Sequence, residues 1–304
     1  MKTRNIDHAI LDNAKVNKKD EFYTRLCDIE KEMVHYVKHF RSKIVYCNCD
    51  NPQNSNFWVY FYEHFKELGL KELYATHYGN KTSFYIYDGE NIKIKPLVGN
   101  GDFRSDECLK LLKKSDIVVS NPPFSLFREY INQLSKNNKD FLIICNINAI
   151  TYKEVFPLIQ NNKAWLGVGF GRGISGFIVP NSYELYGTET LIDNNGNRIV
   201  SPNNCMWLTT LDNEKRHRKL NLVKQYKGNE EYYPKYDNYN GINVNKTQDI
   251  PCDYFGAMGV PITFLNKYDP EQFEIIKFRK GDDGKDLLIK GKAPYFRIII
   301  KRKL

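Results

Sequence analysis

The chain has 304 residues, and its 45 Lys and Arg against 36 Asp and Glu give a net charge of +9 and a pI near 9.0. A composition of 41% hydrophobic, 14% aromatic and 27% charged residues excludes disordered, collagen-like and coiled-coil chains. No apolar run approaches the ~18 residues of a membrane span and the first residues lack the apolar region of a signal peptide, so we expect a cytoplasmic protein whose charge suits an anionic partner.

Helices and strands alternate along the first half of the chain. Helical spacing of apolar residues predicts helices over residues 25–40, 54–68, 105–114 and 125–135. Short apolar runs predict strands at residues 43–49, 72–77, 92–97, 116–120 and 141–147. Thr24 and Ser125 are the predicted N-caps of the first and last of these helices, and Gly69 closes the second. This alternation predicts an α/β fold with a mostly parallel, doubly wound sheet.

The second half of the chain has a different pattern. Aromatic and β-branched runs, separated by Gly, Asn and Pro, predict antiparallel hairpins at residues 164–170, 176–180, 205–211, 260–265 and 296–301. Residues 212–304 hold 19 Lys and Arg against 13 Asp and Glu, so they carry six of the nine excess positive charges. Residues 1–19 are polar and without periodicity, which predicts a mobile arm that could order on binding.

Three features suggest a ligand site but have a plainer interpretation. Residues 167–173 resemble a glycine-rich nucleotide loop, but a strand rather than a helix is predicted to follow, so we interpret them as a bulged or flexible connection. Residues 282–285 fit a hairpin turn better than a calcium loop. Cys47 and Cys49 could supply half of a metal site, but no second Cys or His pair stands at zinc spacing elsewhere in the chain. We therefore expect the seven cysteines to be reduced, mostly buried thiols that bind no metal.

The most informative segment is Asn121-Pro122-Pro123-Phe124, which follows directly after a predicted parallel strand. Open α/β sheets bind their ligands at the carboxyl ends of such strands. The two prolines stiffen the turn and present carbonyl acceptors, Asn121 adds an amide, and Phe124 adds a flat apolar face. Together they predict a pocket for a planar group that bears an amino substituent. The alternative is a Pro-Pro turn before a helix, with Phe124 in the core.

The Asn121–Phe124 segment resembles the Asn/Asp-Pro-Pro-aromatic signature of S-adenosylmethionine-dependent amino-methyltransferases, in particular the adenine-specific DNA methyltransferases. Further segments, in the expected order, are similar to the EcoRI-type branch of that family: residues 20–24, 45–50 with 55–57, and 259–264 through 272–274. The resemblance implies a Rossmann-like class I methyltransferase fold with a seven-stranded, mostly parallel sheet, and a β-rich C-terminal region for DNA recognition. It also implies a catalytic, cofactor-binding domain at residues 20–211 and a target-recognition region at residues 212–304.

The resemblance carries over to particular residues. The catalytic set would be Asn121, Pro122, Pro123 and Phe124, and the residues that contact S-adenosylmethionine would be Tyr23, Thr24, Asn48, Asp50, Asp102, Phe103 and Asn121. Tyr23 and Thr24 would close over the cofactor, Asn48 to Asp50 would pass beneath its methionine and ribose, and Asp102 with Phe103 would meet its adenine. The loop after the first strand contains no glycine, unlike that of most of the superfamily.

The implied activity is methylation of the exocyclic amino group of a flipped adenine in double-stranded DNA, in restriction-modification or epigenetic marking. The predicted DNA-binding residues are Lys215, Arg216, Arg218, Lys219, Lys224 and Lys227. We expect a monomer in a bacterial cytoplasm, nucleoid-associated through DNA, with a possible cognate restriction endonuclease. A DNA-binding module that has lost transfer, or an amino-methyltransferase acting on RNA or protein, stays open as an alternative.

Overall fold

A computed structural model describes residues 22–170, 173–181, 190–193, 196–201 and 204–303. The predicted mobile arm, residues 1–19, lies outside these ranges. The chain divides into two compact units, Met1–Glu154 with Leu166–Asp212, and Val155–Trp165 with Asn213–Leu304.

Seven α-helices are formed by the described residues. They are α1 Leu26–Met33, α2 Val37–Phe40, α3 Asn56–Glu63, α4 Phe65–Leu68, α5 Asp106–Lys114, α6 Phe127–Lys136 and α7 Phe156–Gln160. Ser55 and Ser105 cap α3 and α5 through their hydroxyls, and Gly69 closes α4 at a φ of 63°. The predicted helix ends at Gly69 and Ser105 are thus confirmed. In the described ranges, no helix has the length and apolarity to span a membrane.

Sixteen strands are formed by the same residues. They are β1 Tyr23–Thr24, β2 Ile44–Cys47, β3 Glu72–Ala75, β4 Ser83–Tyr87, β5 Ile92–Pro96, β6 Ile117–Ser120, β7 Asp140–Asn146, β8 Trp165–Leu166, β9 Phe177–Val179, β10 Thr190–Ile192, β11 Arg198–Val200, β12 Cys205–Thr209, β13 Gly241–Asn243, β14 Ala257–Pro261, β15 Phe273–Phe278 and β16 Arg297–Arg302. All five strands predicted in the first half are present, and β4 was not predicted.

The central sheet has the strand order β5-β4-β3-β2-β6-β7-β12-β8. Neighbours are parallel from β3 through β2 and β6 to β7, and antiparallel at β3–β4, β4–β5 and β7–β12. The expected α/β architecture is confirmed, but the sheet is mixed and not mostly parallel, since it has eight strands instead of seven and only its middle is parallel. The reason lies in the connections around β4, which are too short for a crossover and therefore form hairpins.

The parallel middle of the sheet determines where the loops meet. β2, β6 and β7 are almost entirely buried, and their side chains form part of the core of the first unit. Because β3, β2 and β6 run in the same direction, the loops that follow Ala75, Cys47 and Ser120 leave from one edge of the sheet. The Asn121 turn is one of these loops.

A small antiparallel sheet, β1-β9-β11-β10, begins with the segment before the first helix. Thr24 pairs with Phe177 in this sheet and is 3% exposed. The prediction that Thr24 caps the first helix is therefore wrong, since the extended backbone of β1 makes Arg25 the N-cap. The predicted single helix over residues 25–40 is also interrupted, because α1 ends at Met33 and α2 begins at Val37.

The described start of the glycine-rich segment, residues 167–170, contacts α1. The backbone amides of Val168 and Gly169 donate to the two carboxylate oxygens of Glu32, at 2.7 and 2.8 Å. Glu32 is 2% exposed and also accepts from the Tyr36 hydroxyl at 2.9 Å. These amides therefore bind a carboxylate of the protein itself, which agrees with the interpretation that the segment is a connection and not a nucleotide loop.

The second unit contains the sheet β13-β14-β16-β15. Its neighbours are antiparallel except β13 and β14, which are parallel. The run predicted as one strand at residues 260–265 is only partly extended, because β14 ends at Pro261 and a 3₁₀ helix, Ile262–Lys267, follows. The predicted hairpin turn at residues 282–285 is confirmed by the bridge between Lys280 and Asp286 and by Gly284 at a φ of 74°.

Candidate active site

A cavity of about 560 Å³ opens at the edge of the central sheet where β2, β3 and β6 end. This volume is within the range of about 300–1,000 Å³ for small-molecule sites. Seven of the predicted site residues line the cavity: Tyr23, Asn48, Asp50, Asp102, Phe103, Asn121 and Pro123. Three others, Thr24, Pro122 and Phe124, lie beside it without contributing to its wall. The turn after β6 and the loop after β2 are therefore parts of one site.

Asn121 has one satisfied and one unsatisfied polar atom. Its Nδ2 donates to the backbone carbonyl of Phe22 at 2.7 Å. A carbonyl can only accept, so this bond fixes the orientation of the amide and leaves Oδ1 as an acceptor. That oxygen is buried and has no hydrogen-bond partner among the described residues. A buried acceptor without a partner is costly, and a ligand N–H group would satisfy it.

The rest of the predicted turn is divided between the cavity and the core. Pro122 is buried, Pro123 lines the cavity, and Phe124 is half-buried. The ring of Phe124 stacks on Phe22 with 6.3 Å between centroids and meets Phe177 edge-on at 6.2 Å. Ser125 was predicted to cap the following helix, but Phe124–Leu126 form a 3₁₀ turn and Leu126 is the N-cap of α6. The prediction for Ser125 is wrong because the chain completes that extra turn first.

Asp50 joins the two loops of the site. Its carboxylate accepts from the hydroxyl of Ser55 at 2.8 Å and from that of Ser120, the last residue of β6, at 2.6 Å. Asp50 is 8% exposed, and burial raises the pKa of its carboxyl to about 6, although both hydroxyl bonds act to lower the pKa. The carboxylate thus holds the loop after β2 against the end of β6. Each of its oxygens keeps a second lone pair for a ligand.

The other predicted cofactor residues also have internal partners. Asn48 accepts a short hydrogen bond from the hydroxyl of Tyr130, whose pKa burial raises well above its ordinary value. Asp102 is held by Arg104 through Nε at 2.9 Å and Nη2 at 2.7 Å, and this pairing lowers the pKa of its carboxyl. Phe103 is 4% exposed and packs edge-on against Tyr130. These side chains therefore shape the wall as well as offering contacts.

Several wall residues were not predicted: Phe22, Cys49, Asn51, His77, Tyr78, Gly101, Arg104, Ser125 and Leu126. His77 and Tyr78 follow β3, so the rule that ligands bind beyond the carboxyl ends of parallel strands could have identified them. Arg104 has no such signal, because its role depends on the ion pair with Asp102. Within the described ranges, no cluster of three or more His, Cys, Asp or Glu side chains could hold a metal ion.

The predicted DNA-binding residues all belong to the second unit and differ in exposure. Lys215 donates to the side-chain oxygen of Asn266, and the guanidinium of Arg216 lies 3.6 Å from the centroid of the Trp165 ring. Both are half-buried. The other four are exposed: Arg218, Lys219, Lys224 and Lys227. These four are better placed than Lys215 and Arg216 to meet phosphates.

The chain matches the family model described as "Adenine-specific methyltransferase EcoRI" over residues 10–89 and 83–303. It is 61% identical to the Type II methyltransferase M.EcoRI of Escherichia coli, with 99% of this chain and 98% of that protein covered. It is 38% identical to M.MgeORF184P of Mycoplasma genitalium and 37% identical to M.MpnI of Mycoplasma pneumoniae, both Type II methyltransferases, over 95% of this chain. These alignments cover 98% and 97% of the two mycoplasma proteins.

No solved structure shows a significant match to this chain. The family model and the three relatives nevertheless span almost the whole sequence, including the Asn121 turn and the basic second unit. The chain belongs to the family of EcoRI-type adenine-specific methyltransferases.

Proposed function

We propose that this protein transfers a methyl group from S-adenosylmethionine to the exocyclic amino group of an adenine flipped out of double-stranded DNA, at a specific site, in a restriction-modification system. The buried, unpartnered Oδ1 of Asn121 on the cavity wall is the observation that supports this most strongly. An exocyclic amino group is the donor that such an acceptor requires. Residues 20–211 would carry the transfer, and residues 212–304 would bind and read DNA.

The residues of the cavity fit S-adenosylmethionine. The methyl donor carries an amino acid, a ribose and an adenine, and the wall offers the carboxylate of Asp50 together with the aromatic rings of Tyr23 and Phe103. Asp50 lies in the loop after β2 and bonds the last residue of β6. From this position its carboxylate would accept hydrogen bonds from the polar groups of the methyl donor. When bound, S-adenosylmethionine supplies an electrophilic methyl group on a sulfonium.

The chain's own residues align the amino group. Asn121 Oδ1 would accept one of its hydrogens and the Pro122 carbonyl the other, which draws the nitrogen lone pair out of conjugation with the ring. The ring of Phe22 lines the cavity and offers an apolar face for the base, and the ring of Phe124 stacks beside it at the edge of the cavity. Two prolines and the bond to the Phe22 carbonyl hold the acceptor in place, so little reorganisation is needed at the moment of transfer.

The substrate adenine must leave the base stack to reach the cavity, which costs a few kcal/mol. Contacts to the DNA backbone would offset that cost. The exposed cations Arg218, Lys219, Lys224 and Lys227 are the best candidates for these contacts. Arg216 already stacks on Trp165, so we assign it a supporting role within the second unit.

Replacement of Asn121 by Ala tests the proposed chemistry. We expect roughly a hundredfold or greater loss of labelled methyl transfer to DNA, because the amino group loses its aligned acceptor. Affinity for S-adenosylmethionine, measured by calorimetry, should change much less. This pattern separates a role in transfer from a role in cofactor binding.

Asn137→Ala is the matched control, since the Asn137 amide bonds the carbonyl of Gln133 at the end of α6, away from the cavity. It should transfer methyl groups at the rate of the unmodified protein. Wild-type activity in Asn121→Ala would refute the assigned role of Asn121. Binding of S-adenosylmethionine without any transfer to DNA by the unmodified protein would refute the proposed function.

A further inference from the structure

The second unit contains a buried arginine without a carboxylate partner. Arg297 is the first residue of β16, pairs with Pro261 of β14 and is 7% exposed. Buried guanidinium groups are ordinarily paired with a carboxylate, because an isolated buried charge is strongly unfavourable. Across the described ranges, no acidic side chain forms a salt bridge or hydrogen bond with Arg297. Burial lowers the pKa of its guanidinium, as expected for a cation without a counter-charge.

Neutral oxygens hold the Arg297 guanidinium at three points. Its Nε donates to Oδ1 of Asn243 at 2.9 Å, and its Nη1 donates to the backbone carbonyl of Tyr295 at 3.0 Å. A longer bond of 3.4 Å joins Nη2 to Oδ1 of Asn245. One N–H on each Nη atom therefore has no acceptor within the part of the chain that the structure describes.

The surroundings of Arg297 are rigid. Asn243 accepts from the hydroxyl of Tyr236 at 3.0 Å and donates through Nδ2 to Asn245 at 2.9 Å, which fixes the orientation of its amide. The Tyr236 hydroxyl fits against Gly259, where a Cβ atom would come within 1.9 Å of it. The guanidinium plane is therefore fixed before any ligand arrives.

The Nη side of the guanidinium lies next to exposed residues, although Arg297 itself is only 7% exposed. The bond to Nε is buried, whereas the bonds to Nη1 and Nη2 are only partly buried. Asn245 is exposed and Tyr295 is 76% exposed. The two free N–H groups of a cation without a counter-charge and the exposed amide of Asn245 thus form one set of donors in the second unit.

We propose that the Nη edge of Arg297, together with the side-chain amide of Asn245, reads the O6 and N7 acceptor edge of a guanine in the DNA target site. This inference rests on the proposed function. A guanine presents two acceptors side by side in the major groove, and a planar arginine fork matches them in bidentate fashion. A fixed fork discriminates between base edges by geometry, whereas phosphate contacts fix the register of a protein on DNA without reading the sequence.

The experiment compares methyl transfer to a set of DNA duplexes. Sequencing of methylated adenines in DNA treated with the unmodified protein first gives the target site. Values of kcat/KM are then measured for the cognate duplex and for duplexes with each base pair replaced in turn. The variants are Arg297→Lys, which keeps the charge but loses the fork, and Asn245→Ala, which removes an exposed amide together with the acceptor that Asn243 and Arg297 share. Lys292→Gln, an exposed cation on the segment before β16, is the control.

We expect Arg297→Lys to relax discrimination at one G·C pair by roughly 5- to 150-fold, which corresponds to the 1–3 kcal/mol of a bidentate base contact. Asn245→Ala should relax discrimination at the same pair by a smaller factor. Lys292→Gln should leave discrimination unchanged at every base pair. Because Asn245 is exposed, its variant tests the site even if Arg297→Lys does not fold.

Three results would overturn the inference. A uniform loss at every base pair with a shallower salt dependence would show a phosphate contact, and a lowered Tm with unchanged discrimination in both variants would show a structural role. A target site without a G·C pair would also overturn it. Absence of methyl transfer by the unmodified protein is a separate outcome, since it would refute the proposed function and this inference with it.

Discussion

At the scale of single residues, the site depends on polar side chains that are held by others. Asn121 was predicted from a tetrapeptide, because a stiff Asn-Pro-Pro turn after a parallel strand is a local pattern. The bond from Ser120 to Asp50, in contrast, joins residues 70 positions apart, and the carbonyl that holds Asn121 is 99 positions away. Such pairs depend on the register of the sheet, so a sequence pattern does not reveal them.

Asp50→Asn should change how stability depends on pH. Burial raises the pKa of Asp50 to about 6 from 3.8, so between pH 4 and pH 6 the native state keeps a proton that the unfolded state has released. The free energy of unfolding of the unmodified protein therefore falls as pH rises through this window, by about 3 kcal/mol from this group. Asp50→Asn lacks this titrating group, so its free energy of unfolding should rise relative to that of the unmodified protein from pH 4 to pH 7.

Urea denaturation at pH 4, 5, 6 and 7 measures this difference. Asp106→Asn, which alters an exposed carboxyl in the first turn of α5, is the control and should follow the unmodified protein. A stability difference between Asp50→Asn and the unmodified protein that is the same at all four pH values would contradict the assigned titration. Weaker binding of S-adenosylmethionine by Asp50→Asn at pH 7 is expected as well, since the ligand loses an anionic acceptor.

Gly101→Ala should damage the wall of the cavity. Gly101 has a φ of 72°, and a Cβ atom would come within 2.0 Å of the carbonyl oxygen of His77. Both the left-handed backbone and this backbone contact disfavour any side chain. We expect a Tm lower by several degrees and weaker S-adenosylmethionine binding, measured by thermal unfolding and calorimetry. Gly99→Ala, whose Cβ would be 3.3 Å from the end of the Glu107 side chain, should show neither.

At the scale of elements, the parallel strands were predictable because each is a short apolar run that is buried on both faces. β4, Ser83–Tyr87, was not predicted, although its Phe, Tyr and Ile residues favour a strand and could have identified it. The late start of α6 and the break between α1 and α2 were not predicted either. Turn geometry within one or two residues is decided by tertiary contacts, such as the pairing of Thr24 with Phe177.

Glu32→Gln should loosen the connection between α1 and the glycine-rich segment. The Glu32 carboxylate accepts two backbone amides, and a glutamine would turn an N–H group toward one of them. An unsatisfied buried donor costs about 1–3 kcal/mol, so we expect a loss of that size in urea denaturation. Glu30→Gln, on the exposed face of α1, should change stability by less than about 0.5 kcal/mol. Equal effects of the two substitutions would refute the assigned role of Glu32.

At the scale of the whole molecule, the distribution of charge matters more than its total. Six of the nine excess positive charges lie in residues 212–304, and four of the six cations predicted to bind DNA are exposed there. The other two, Lys215 and Arg216, already bond Asn266 and stack on Trp165. Composition could predict that this region is basic. It could not distinguish exposed cations, which a ligand can reach, from cations that already contact other residues of the second unit.

Neutralising the four exposed cations Arg218, Lys219, Lys224 and Lys227 with glutamine should make DNA binding less dependent on salt. Each phosphate contact contributes about 0.9 to the slope of log K against log salt, so the slope should become shallower by up to about 3.6. Fluorescence anisotropy at several salt concentrations measures this slope. The control replaces four exposed lysines of the first unit, Lys66, Lys71, Lys113 and Lys114, which removes the same charge. Those lysines adjoin the amino ends of β3 and β6, opposite the cavity, so equal slopes for the two variants would contradict a DNA contact specific to the second unit.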